Sequence, residues 1–267
     1  MEKPSVTKRF HFVPQFHIKK WLDKDKMINI YQLSPKKEFK TIHEKGIKNF
    51  CVESGLYAAP ILYPFEKDIV ETDFFAPLDD RASRIMNSLP NGKILLPKKE
   101  KSDLLEYIQL LYYRHPKMIN KLISYNKQYP CFEHSKEDEI KDYTVTSFLR
   151  NQPIASKDFF VDLDWYKLET SKELIFGDTP YVQFGGMNKD IYCVMVALDP
   201  QHLLITRKNW DRINPNLHLC SFTETYNEYI LRQANKFVFF KSNILKKGLK
   251  AQYKKIINKN RRIDIFD

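Results

Sequence analysis

The sequence predicts an α+β fold, with a helix-rich N-terminal half, an antiparallel sheet in the C-terminal half and a closing basic helix. Three observations predict it. Between about residues 64 and 150 apolar side chains recur every three or four positions; from about 158 to 240 the period shortens to two; at Leu245, Leu249, Tyr253, Ile256 and Ile257 it lengthens again.

Each element follows from local chemistry. In the opening RFHFVPQFHIKKWL (Arg9 to Leu22), an extended piece with Phe10 and Phe12 runs into Pro14, a good first helical residue, and a short helix turns Phe16 and Trp21 inward. Met27 to Leu33 alternates as a strand after the Asp23–Asp25 turn, and residues 46–62 read as a loop with short apolar pieces such as Leu56, Tyr57 and Ala58. Phe74, Leu78, Ala82, Ile85 and Leu89 keep helical spacing until Pro90-Asn91-Gly92 stops them. Ser102 is placed to cap a strong helix striped from Leu104 to Ile123, which Pro116 kinks near Arg114-His115. A more polar helix follows over 136–150.

In the second half, Val161, Leu163 and Trp165 alternate with Asp162 and Asp164. Leu174-Ile175-Phe176 leads into the turn Gly177-Asp178-Thr179-Pro180. Tyr181 to Phe184 and Ile191 to Leu198 flank Gly185-Gly186 in a hairpin-like connection, and His202 to Thr206 adds a strand. Glu224 to Phe240 turns helical or mixed. The last helix carries Lys246, Lys247, Lys250 and Lys254 on its outer face. With no internal repeat or low-complexity linker, the chain reads as a single domain over 1–267, its helical part at roughly 64–150 and its sheet part at roughly 158–240.

Composition narrows the function classes. The 267 residues are 43% hydrophobic and 29% charged, which excludes a disordered or fibrous chain. Glycine is scarce, at 7 residues, and neither G-x-G-x-x-G nor G-x-x-x-x-G-K-[ST] occurs, which counts against a nucleotide-binding regulator. The N-terminus is charged from its second residue and is no secretory signal. The longest apolar run, Ile191 to Leu198, falls far short of the ~20 residues a membrane helix needs. Cys51, Cys131, Cys193 and Cys220 form no C-x-x-C pair; a cytoplasmic protein without membrane association is expected.

The net charge of +11 is unevenly spread. Residues 1–50 hold 12 basic and 5 acidic side chains, residues 241–267 hold 9 and 2, and the body between is slightly acidic. Should the two ends meet in space, they make one basic face suited to RNA or DNA; apart, they are solvated lysine-rich ends that keep the protein soluble.

Several segments together resemble a known family. RFHFVPQFHIKKW resembles the His-x-Val-Pro-Gln opening of an uncharacterised, largely bacterial family, domain of unknown function 4238. FCVESGLYAA (Phe50 to Ala59), YYRHPKM (Tyr112 to Met118), IFGDTPYV (Ile175 to Val182) and the helix with Asn227 and Ala234-Asn235 are similar to later segments of that family, in order. Gly177 stands where the family pattern has a serine, and His115 where a small polar residue is more usual. The resemblance implies an α+β single domain, supplies no established activity, and brings a context of bacterial genes for defence against phage.

Four residues make the first candidate set: His11, Gln15, Arg114 and Asp178. An imidazole exchanges protons near neutral pH, a guanidinium holds phosphate at two points, and a carboxylate orients the imidazole. Together they suit metal-independent phosphodiester cleavage, with His11 as base or acid, Arg114 stabilising charge on phosphorus and Asp178 orienting. The alternative is a satisfied buried network, with Asp178 a turn cap paired to Arg114, that joins the halves without chemistry. Asp162, Asp164 and Asp178, near Glu169 and Lys172, are a weaker set for Mg²⁺, since a solvated strand face explains them; otherwise no cofactor is expected. His202, His218 and Cys220 are a weak metal set, and His17 and His43 read as exposed. Lys246, Lys247, Lys250 and Lys254, with Arg261 and Arg262 in the NKNRR tail, are placed to grip a phosphate backbone. The expectation is a nucleic-acid-directed hydrolase, a ribonuclease-like effector in antiphage defence. The alternative is a non-catalytic basic module that binds nucleic acid or a protein partner.

Overall fold

The computed structural model of the protein describes residues 9–65, 68–150, 163–184, 193–207, 219–259 and 262–263. The architecture is α+β. Strand β1 (Arg9–His11) pairs antiparallel with β4 (Val52–Ser54), and the pairing is continued by Phe12 N–H donating to the Cys51 carbonyl at 2.9 Å. Helix α1 (Gln15–Ile18) follows Pro14, which sits one residue before the helix, where its missing N–H costs nothing. With the 3-10 turn Lys19–Trp21 it buries His17, Ile18 and Trp21 and leaves Phe16 half-buried.

Two larger sheets organise the rest. Strands β2 (Met27–Gln32), β3 (Glu38–His43), β7 (Phe176–Gly177) and β11 (Phe237–Phe240) form one, in the order β3-β2-β11-β7. Strands β5 (Gly92–Lys93), β6 (Asp164–Glu169), β8 (Tyr181–Phe184), β9 (Cys193–Asp199) and β10 (His202–Arg207) form the other, in the order β5-β6-β10-β9-β8. Every recorded pairing is antiparallel. The sequence placed a single sheet in the C-terminal half; instead the N-terminal hairpin β2–β3 joins β11, over two hundred residues away. Asn29 secures that junction, donating to the Lys241 carbonyl at 2.7 Å and accepting from the Thr41 hydroxyl at 2.7 Å.

The helical part comprises α2 (Ala76–Ser88), entered through a π-helical turn at Val70–Phe75, then α3 (Lys98–Tyr113), α4 (Pro116–Asn126) and α5 (Glu137–Arg150). Two expectations are corrected here. Pro97, not Ser102, precedes the first residue of α3. Pro116 opens a new helix rather than kinking one, because a residue without N–H fits a first helical turn, and His115 Nδ1 caps it by accepting from Lys117 N–H at 3.2 Å. Helices α6 (Leu219–Gln233) and α7 (Leu245–Asn258) follow among the described residues. The buried apolar side chains of both sheets and the helices form one continuous cluster, from Phe10 to Ile256.

Candidate functional site

His11 and Gln15 are four residues apart across the start of α1, and the structure brings them together: the Gln15 amide N–H donates to His11 Nε2 at 3.2 Å. His11 is half-buried; burial lowers its pKa, opposed by the Lys48 backbone carbonyl. The lone pair that a general base would use is thus already engaged by Gln15.

Arg114 and Asp178 are held elsewhere, each 1% exposed. Arg114 ends α3 and turns its guanidinium onto Asp79 of α2, with two N–H···O bonds of 2.7 and 3.1 Å, while its face lies 4.6 Å over the Phe75 ring. Burial opposes the charge, but the Asp79 carboxylate outweighs it and raises the guanidinium's pKa. The buried Tyr57 hydroxyl donates to the Arg114 carbonyl. Asp178 accepts from the backbone N–H groups of Asn235, Lys236 and Phe237 at 2.7, 2.6 and 3.2 Å, which fixes the passage from α6 into β11. Burial raises its pKa, and those three donors hold it back. The partnership expected between Arg114 and Asp178 is therefore replaced by two separate ones, and His11 bonds to neither. Nothing local in the sequence marked Asp79 as a partner: it follows Leu78 by one position on α2 and lies 35 residues from Arg114.

The other chemical candidates divide likewise. Asp164 pairs with Lys93 at 2.9 Å. His202 donates through Nδ1 to Asp199 at 2.8 Å, and Asp199 also accepts from the Gln201 and His202 backbone, so the pair caps the β9–β10 turn. Val161, Asp162, Gly185-Gly186, Ile191, His218 and Arg261 lie outside the described residues, as does the side chain of Cys220. Among the described residues no three His, Cys, Asp or Glu side chains cluster as a metal would require. His43 is exposed, as expected, but His17 is not: it is fully buried between sheet and helices. Its Nε2–H donates to the Ala197 carbonyl at 2.8 Å, its Nδ1 accepts from the Tyr107 hydroxyl at 2.8 Å, and burial lowers its pKa to about 4.

Within the described residues the two basic segments meet, and Tyr253 is where. This buried α7 side chain packs edge-on against Tyr31 of β2 at 5.6 Å, Tyr31 stacks on Phe39 of β3 at 4.4 Å, and Lys37 Nζ of the β2–β3 turn lies 5.8 Å above the Tyr253 ring. Helix α7 contains five lysines and no acidic residue. At 100° per residue, Lys246, Lys250 and Lys254 form a row about 12 Å long with Lys247 beside it. Lys247, Lys250 and Lys254 are exposed and Lys246 half-buried; Lys36 and Lys37 of the hairpin are exposed too. Arg262 does not share this freedom. It donates to the carbonyls of Leu231 and Ala234 at the end of α6 and to the Tyr253 hydroxyl, so it clamps α7 in place rather than facing outward.

A family model described as "Protein of unknown function (DUF4238)" matches residues 9–243. The chain belongs to that family. The DUF4238 match runs from β1 through β11 and stops one residue short of α7. Gly177 has a physical reason of its own: a Cβ there would lie 3.0 Å from Ile230 Cγ2, so the bare backbone lets β7 approach α6. Neither a curated protein nor a solved structure matches the chain. No helix among the described residues is long and apolar enough to cross a membrane.

Proposed function

We propose that the protein binds the phosphate backbone of a nucleic acid through the joined basic face of α7 and the β2–β3 hairpin. The single observation that carries this reading is the meeting of the two basic segments at Tyr253, with Lys37 of the β2–β3 turn over the ring of the helix that carries the lysine row. Exposed lysines without acidic neighbours on the same helix suit counterion release from phosphates, a sequence-independent attraction. A nuclease built on His11, Arg114 and Asp178 would need these groups to share one open hollow. Arg114 and Asp178 are sealed from solvent and already paired, Arg114 with Asp79 and Asp178 with three backbone N–H groups, so the binding reading is preferred.

The test is fluorescence anisotropy of a labelled duplex and a labelled single-stranded RNA across salt concentrations. With about four to five lysines engaged, log K should fall against log salt with a slope near −4, and each of Lys247→Glu, Lys250→Glu and Lys254→Glu should reduce that slope by about 1. A flat salt response, or slopes unchanged in the three variants, would overturn the reading and favour a protein partner.

A further inference from the structure

On the flank of α7 away from the lysine row, α7 and α6 part around a cleft of about 820 Å³, bounded also by residues 171–175. That volume lies within the range of small-molecule sites, about 300–1,000 Å³. Its floor is apolar, made by Ile175, Leu231, Leu249 and Ile256, and Ile244 stands 88% exposed at the rim.

Two further observations say what kind of molecule fits. Gly248 sits in the interior of α7 and lines this cleft, where glycine costs a helix up to about 1 kcal/mol relative to alanine. A Cβ added there would meet nothing within 4 Å, so no contact inside the chain requires the glycine; the space it keeps belongs to the cleft. The second observation is charge. Each acidic side chain of the lining is already engaged: Glu224 with Lys172, Glu228 with Arg232 at 3.8 Å, and Glu173 with the Ser242 backbone N–H at 3.0 Å. Lys255, on the same wall as Gly248, is exposed and has no carboxylate partner among the described residues.

We propose that this cleft binds an anionic amphiphile of the medium-chain carboxylate class, its chain along the Leu231–Leu249–Ile256 floor past Gly248 and its carboxylate at Lys255 Nζ. The proposal is independent of the nucleic-acid reading, because it uses the opposite flank of the helix. Isothermal titration of the full chain with decanoate, with 1-decanol and acetate as controls, tests it. Decanoate should bind saturably with one equivalent, 1-decanol at least about fivefold more weakly for want of the charge-assisted contact, and acetate not at all. Gly248→Leu should fill the cleft and weaken decanoate binding at least about tenfold while leaving the melting temperature unchanged or higher, because leucine is the better helix former. Lys255→Gln should weaken decanoate and spare 1-decanol. Absence of saturable binding, several equivalents with an unaltered isotherm in Gly248→Leu, or equal affinities for decanoate and 1-decanol would each overturn the proposal.

Discussion

The buried polar side chains and the lysine row of α7 hold their polar groups in opposite surroundings. Arg114, Asp178 and His17 are chemically versatile groups, and the fold uses all of them internally: a guanidinium locked on Asp79, a carboxylate receiving three backbone N–H groups, an imidazole between a carbonyl and a tyrosine hydroxyl. Lys247, Lys250 and Lys254 are simple point charges, and they remain exposed. The contrast teaches that burial, rather than chemical repertoire, decides which groups are left for a partner. A buried charge must be paired or hydrogen-bonded to persist, and a group so paired has little left to offer.

The comparison can be broken at its strongest point first. Arg114→Met strips Asp79 of its cation and should cost about 3–5 kcal/mol, read as a lower denaturant midpoint at unchanged m-value. A loss under 1 kcal/mol would mean that the pair is not structural.

His17 gives a pH dependence of definite sign. Its folded pKa, about 4, lies below the unfolded value of 6.5, so the unfolded chain binds the extra proton between these limits. Its contribution is intact above pH 6.5 and is lost progressively as pH falls toward 4, about 3 kcal/mol in all. Urea melts at a series of pH values should show this slope in the parent and lose it in His17→Phe.

Asp178→Asn keeps an acceptor oxygen but turns an amide N–H₂ toward backbone donors; thermal and denaturant melts should report a loss of about 1–3 kcal/mol. At the small end, Lys250→Ala with Lys254→Ala should shift stability by no more than about 0.5 kcal/mol. A larger loss in those same melts would show the row to be part of the architecture after all.

Much of the fold was legible from periodicity. The stripe from Leu78 to Ile85 sits on α2, Met27 to Gln32 forms β2, and Leu249, Tyr253 and Ile256 are the buried face of α7, because amphipathic spacing is enforced by the same core it predicts. Strand β3 escaped notice: Glu38 to His43 contains three charged or titratable side chains, and its extended form is owed to pairing with β2. The α3–α4 break is hidden in the sequence because the apolar stripe continues across Pro116 without losing phase. Within the candidate site, the link between His11 and Gln15 was within reach, being four residues apart around Pro14. The destinations of Arg114, Asp178 and His17 were not, since each finds its partners 35 residues or more away in the chain, nor were the Leu231 and Ala234 carbonyls that receive Arg262.

The sequence by itself determined the α+β class, the positions of most helices and strands, and the concentration of lysine at the two ends, all properties of local spacing and composition. Only the tertiary structure decided that the β2–β3 hairpin meets α7 and that Arg114, Asp178 and His17 are sealed. Pairing across the chain is set by which surfaces exclude water together, and no local pattern encodes that.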